Sequence, residues 1–125
     1  MPRIQVVAEE NAEGKVKAVY EELRSVFGKV PGVMKALSPW PEVLELYANR
    51  IGMIVFSKTL LTRAVKEMIA SLVSKVNECD YCLTYHQSFL VDAGISSIEA
   101  EAIVTDYQTA PITDSEKKLL AYVEK

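Results

Sequence analysis

The chain has 125 residues, half of them hydrophobic and a quarter charged, with 14 basic and 17 acidic side chains giving a net charge of −3. That length suits one compact domain with a real core, the acidic balance argues against general nucleic-acid binding, and no apolar run reaches the ~18 residues that a membrane span needs. The opening Met-Pro-Arg-Ile-Gln lacks the apolar core of a secretory signal, so the expected compartment is the cytoplasm, where a Cys-x-x-Cys pair is more often catalytic or metal-binding than a structural staple.

Residues 1–12 read as an extended or loose arm. Val16, Val19, Tyr20, Leu23, Val26 and Phe27 recur every three to four residues and predict an amphipathic helix, stopped by Gly28 and Pro31-Gly32. Val33 to Leu37 suits a short helical turn. Pro39 and Pro41 flank Trp40 and open the next helix, since proline is tolerated in a first turn. The stripe Val43, Leu44, Tyr47, Ile51, Ile54, Val55 carries that helix from about Glu42 to Phe56, and Gly52 inside it marks a close crossing.

Thr62 caps a third main helix, whose stripe is Val65, Met68, Ile69, Leu72, Val73, Val76. Asn77-Glu78 breaks the pattern just before Cys79. The following helix runs to Ala93 and stops at Gly94. Ser96 with Glu99, and Thr113 with Glu116, are capping-box signatures for two more helices, the first from about Ser97 to Tyr107 and closed by Ala110-Pro111. Leu119, Leu120 and Val123 give the last helix an apolar stripe that is still running at Lys125, either a surface for a neighbouring subunit or a frayed end. No stretch alternates with period two, so the fold class is all-α, one compact domain over residues 1–125 with about six helices.

The chemistry gathers between Glu67 and His86. Cys79 and Cys82, the only cysteines, stand three residues apart, and His86, the only histidine, follows one turn later on the same helical face. At a helix start that spacing brings two sulfurs within bonding reach, and the unpaired N–H groups of the first turn stabilise a thiolate. Glu67 lies on the preceding helix among the small residues Ala64, Ala70 and Ser71, where another helix packs closely. If that helix carries Cys82 and His86, one pocket holds an acid, an imidazole and a thiol, the set that takes a proton from a thiol and hands it to a leaving group.

Plainer readings compete. Two free cysteines are sometimes inert core. A zinc ion on the cysteines with His86 and Glu67 falls short of the usual four Cys/His ligands, so no metal and no cofactor is expected unless subunits share one. Glu67 also sits one turn after Arg63, a spacing that by itself describes an ordinary surface ion pair. Tyr81, Tyr85 and Trp40 read as packing residues, and Met53, Met68 and the aliphatic stripes as core.

Glu67, eleven residues, Cys79-x-x-Cys82, three residues, His86 resembles the signature of the alkylhydroperoxidase D-like group in the carboxymuconolactone decarboxylase superfamily. The run from Met68 to His86, with Leu61-Thr62-Arg63 upstream, looks most like its peroxidase-related subgroup, and the similarity extends from about Phe27 onward. The resemblance implies an all-helical protein that assembles into trimers or hexamers and reduces hydroperoxides with thiols. It assigns attack on the peroxide to Cys82, resolution of the sulfenic acid to Cys79, and proton relay to Glu67 and His86. It implies as partners a hydroperoxide substrate and a dithiol donor, thioredoxin-like or lipoyl. The best-known members carry a histidine between the cysteines; Tyr81 stands there in this chain and does not serve as a base near neutral pH. The alternatives are a lactone-decarboxylase-like lyase, whose chemistry needs no dithiol, and a non-catalytic oligomeric redox sensor.

Overall fold

A computed structural model describes residues 3–125; the first two residues of the expected arm lie outside them. The described residues form seven α-helices, one 3₁₀ turn and one π turn, with no strand among them, so the all-α expectation is met. The helices gather into two compact units, one ending at Ser57 and the other running over Lys58–Lys125.

In the first unit, α1 (Gly14–Phe27) buries Val16, Val19, Tyr20 and Leu23, the expected stripe without Val26, which stays exposed. It stops at Gly28, whose φ of 72° is the left-handed conformation that glycine adopts without a Cβ clash. The short α2 (Gly32–Leu37) contributes Met34 and α3 (Pro41–Ile51) contributes Leu44 to the same core. The arm is extended but not loose. The Val7 N–H donates to Ser38 Oγ at 2.7 Å, Tyr20 Oη donates to the Val7 carbonyl at 2.9 Å, and Glu9, in a 3₁₀ turn, pairs with Arg24 and Lys35.

The helix expected as far as Phe56 ends its α form at Ile51 and widens into a π turn over Gly52–Phe56. A π turn takes an extra residue per turn and rotates the side chains that follow it. Met53, read from the sequence as core, is therefore 73% exposed, and Ile54 is exposed beside it. Trp40 also departs from its expected packing role: it occupies the position before α3, with its indole at the surface.

In the second unit, α4 (Arg63–Val76) starts where Thr62 Oγ1 accepts from the Val65 N–H. It lies against α5 (Asp80–Asp92), which ends at Ala93-Gly94 with Gly94 at φ 96°. Reciprocal capping boxes at Ser96/Glu99 and Thr113/Glu116 open α6 (Ser97–Asp106) and α7 (Asp114–Val123) as expected. The core joins Met68 and Leu72 of α4 to Leu90, Ile103, Tyr107 and Leu120. Lys75 donates to the Val104 and Thr105 carbonyls, tying α4 to the end of α6. The C-terminal helix is held at its end, because Tyr107 Oη donates to Glu124 at 2.6 Å.

The α4 stripe is only half right. Met68 and Leu72 are buried, but Val73 and Val76 are exposed, while Glu67, Ser71 and Ser74 are buried in their place. Helix α4 has turned a polar strip inward. The reason is the close approach of α5, which the small side chains of that strip permit.

Candidate active site

Cys79 sits at the N-cap of α5, where a serine or aspartate oxygen usually stands. Its sulfur takes the capping role by accepting from the Cys82 backbone N–H at 3.3 Å. Cys82 occupies the third helical position. The two residues are joined in a disulfide with Cα atoms 5.3 Å apart, inside the normal range for such a bond. The turn that delivers Cys79 to the cap passes through Glu78, the one described residue other than glycine with positive φ, at 53°. The Cys79 N–H then donates back to the Ser74 carbonyl at 2.9 Å, closing the hairpin.

His86 lies one turn beyond Cys82 on α5 and meets Glu67 across the helix pair, with Nδ1 and Oε2 2.8 Å apart. The other carboxylate oxygen of Glu67 accepts from Arg63 Nε, also at 2.8 Å. Glu67 is only 2% exposed. A carboxylate desolvated to that degree requires partners on both oxygens, and Arg63 and His86 supply them. The sequence had posed the Arg63 pair and the catalytic acid as competing roles for Glu67. The contacts with Arg63 and with His86 coexist, one per oxygen, and the Arg63 pair is built around a buried acid rather than lying on an exposed face.

The chemical consequence concerns the imidazole. A carboxylate oxygen only accepts, so Nδ1 carries the proton in the neutral ring and Nε2 keeps its lone pair. His86 is thus held in the tautomer of a base, by the same logic as a carboxylate–histidine pair in a hydrolase. Phe89 supports both partners. Its ring lies edge-on to the His86 ring at 6.0 Å and beneath the Arg63 guanidinium at 5.9 Å. Tyr81 is exposed and packs tilted against Tyr85 at 4.8 Å, which continues to Phe89 at 6.0 Å. Tyr81 therefore begins an aromatic ladder that runs along α5 from the surface to the buried Phe89.

All four residues picked from the sequence fall in this one place: two sulfurs at the helix start, and an imidazole–carboxylate pair one turn along. Arg63 and Phe89 belong with them. Arg63 had a visible signal, its i,i+4 spacing to Glu67, and Phe89 follows His86 by three residues on one face. Among the described residues, no three His, Cys, Asp or Glu side chains converge as a metal-binding group.

Residues 41–125 match the carboxymuconolactone decarboxylase family. An alkyl hydroperoxide reductase of Mycobacterium tuberculosis is 34% identical over 95 residues, which is 73% of this chain but 26% of the relative, so the chain spans about a quarter of that protein's length. Among solved structures, a peroxidase-related protein of Ralstonia eutropha JMP134 with an alkylhydroperoxidase AhpD core superposes with a TM-score of 0.84 at 22% identity, over 96% of this chain and 63% of that one. The alkylhydroperoxidase AhpD core of Rhodospirillum rubrum gives 0.72 at 21% identity, over 100% of this chain and 93% of that one. At such identities the two structures establish a shared fold.

Proposed function

The chain belongs to the carboxymuconolactone decarboxylase family, and from that premise we propose that it is a thiol-dependent hydroperoxide reductase that cycles Cys79 and Cys82 between dithiol and disulfide. The observation that carries this reading is the arrangement on α5: a bridged cysteine pair at the helix start, followed one turn later by an imidazole whose tautomer Glu67 sets. The alkyl hydroperoxide reductase among its relatives supports the same class of chemistry.

In the reduced state His86 takes the proton of Cys82 through Nε2, and the first turn of α5 favours the thiolate that remains. The sulfur attacks the distal oxygen of ROOH. The S–O bond forms as the O–O bond breaks, and the proton held by His86 goes to the departing alkoxide, releasing ROH and leaving a sulfenic acid on Cys82. The Cys79 thiolate then attacks the Cys82 sulfur. The S–S bond forms, the S–O bond breaks, and the hydroxyl leaves as water with one further proton. A dithiol donor, thioredoxin-like or lipoyl, returns two electrons and two protons by exchange through a mixed disulfide.

Assembly into trimers or hexamers and a cytoplasmic location complete the proposal. Leu46, Met53 and Ile54 of the first unit are apolar and exposed, which suits burial against another copy. No helix among the described residues is long and apolar enough to cross a membrane.

The test is peroxide consumption coupled to dihydrolipoamide or thioredoxin. Cys82→Ser abolishes it. Cys79→Ser permits a single turnover that leaves a trappable sulfenic acid on Cys82. Steady-state activity retained by both variants refutes the mechanism. A disulfide that forms and is reduced without consuming peroxide assigns the chain to redox sensing instead.

A further inference from the structure

Ser71 is fully buried on α4, and its Oγ is the one buried side-chain oxygen or nitrogen among the described residues with no hydrogen-bond partner in the protein. Serine inside a helix ordinarily donates back to the carbonyl four residues earlier. Ser74 does so to Ala70 at 2.7 Å, and Thr84 does so to Asp80 at 2.9 Å, but Ser71 makes no such bond. A buried unpaired hydroxyl is costly and calls for an explanation.

The register of the α4–α5 hairpin supplies one. Two contacts pin it: Glu67 to His86 near the open end, and the Cys79 N–H to the Ser74 carbonyl at the turn. Four residues on from Glu67 is Ser71, and four residues back from His86 is Cys82. Three more steps along each helix give Ser74 and Cys79, the closing pair. Ser71 is therefore level with Cys82, one helical turn from Glu67 on the α4 face that meets α5.

We propose that Ser71 is a positioning residue for Cys82, its hydroxyl donating to the Cys82 sulfur when that sulfur is a thiolate. The proposal rests on the reading of Cys82 as the reactive thiol. A disulfide sulfur is a poor acceptor and leaves the hydroxyl orphaned, as it is here. A thiolate is a charged acceptor and satisfies it. The hydroxyl thus stabilises the reduced, deprotonated form selectively. It places the carboxylate–imidazole pair and the hydroxyl at successive turns of the same helix interface, the first to accept the proton of Cys82 and the second to hold the charge left behind.

The experiment places Ser71→Ala in the unsubstituted chain and in the Cys79→Ser chain. In the Cys79→Ser background, alkylation of Cys82 by iodoacetamide near neutral pH slows about tenfold, and the whole pH–rate profile moves to higher pH, because a hydrogen bond to a charged group is lost. In the unsubstituted chain, equilibrium against a dithiothreitol redox buffer shifts about tenfold toward the disulfide, a potential about 30 mV more negative. Ser71→Thr, which keeps the hydroxyl, restores both readings toward the parent. Thermal unfolding of oxidised Ser71→Ala is unchanged or slightly raised, since an orphaned hydroxyl has been removed. An alkylation profile and a redox equilibrium both unmoved by Ser71→Ala overturn the proposal, whatever the melting temperature does. Neither readout requires peroxide, so a chain that consumes no hydroperoxide refutes the peroxidase reading alone.

Discussion

Glu67→Gln is the substitution that most sharply separates a relay from a structural ion pair. Arg63 Nε only donates, so the glutamine carbonyl oxygen must stay where Oε1 now accepts from it at 2.8 Å. The amide nitrogen is then forced onto His86 Nδ1, at the place of the oxygen now 2.8 Å away. An amide nitrogen only donates, so the imidazole proton moves to Nε2, and the lone pair proposed to receive the Cys82 proton is gone. Shape and both contacts survive while the tautomer inverts.

The stability cost follows from exchanging the charge-assisted hydrogen bond to His86, worth about 1.5–3 kcal/mol, for a neutral one worth about 1 kcal/mol, and from leaving Arg63 bonded to the amide oxygen without its counter-charge. Arg63 and His86 are 27% and 30% exposed at the side chain, so water compensates part of the loss. The net is about 1–2 kcal/mol, or a fall of about 3–8 °C in melting temperature for a domain of this size. Losing a positioned base costs about 10²–10⁴ in rate, far more than so mild a destabilisation explains. The assays are thermal unfolding of the oxidised chain and donor-coupled peroxide consumption. Adding Arg63→Ala to Glu67→Gln frees the amide to turn over and returns part of the rate, a coupling that a double-mutant cycle measures. If Glu67→Gln melts lower but consumes peroxide within a few-fold of the parent, the carboxylate is structural and the relay is refuted.

Other tests address the frame that holds the site. Glu78 stands at φ 53° in the turn before Cys79; Glu78→Val places a β-branched residue there and costs about 1–2 kcal/mol in urea unfolding, whereas Glu78→Gly is neutral or stabilising. An unchanged midpoint for Glu78→Val refutes the account of that turn. The hydrogen bond from Tyr107 to Glu124, with burial and nearby acids adding to it, raises the phenol above its ordinary range. Its contribution is fully present below the unfolded value of about 10 and is lost as pH rises through the higher folded value, so Tyr107→Phe flattens the alkaline limb of the stability profile. Glu9 behaves oppositely. Its hydrogen bond from Lys35, then that from Arg24, lowers its carboxyl, so its contribution is present above the unfolded value of about 4.3 and is lost as pH falls through the lower folded one. Glu9→Gln flattens the acid limb, and parallel profiles for variant and parent refute these assignments.

What the sequence determined by itself is whatever depends on neighbours along the chain. Thr62, Ser96 and Thr113 cap the helices they were expected to cap, and Gly28 and Gly94 end theirs in the left-handed conformation, because a cap is a contact within three or four residues. The Cys79, Cys82 and His86 spacing was legible for the same reason: one helical turn fixes which side chains share a face. The tertiary structure decided the rest. Glu67 meets His86 across nineteen residues, and periodicity carries no information about which helix faces which, so the small residues around Glu67 linked the two only conditionally and a resemblance supplied the rest. Val73 and Val76 were misplaced as core, and Ser71 and Ser74 were found buried in their stead, because hydrophobicity ranks faces by transfer free energy while α5 selects a face by how closely it can approach. Met53 left the core when α3 widened at Gly52. The sharing of Glu67 between Arg63 and His86 likewise awaited the folded hairpin, since the demand for two partners arises only once the carboxylate is removed from water.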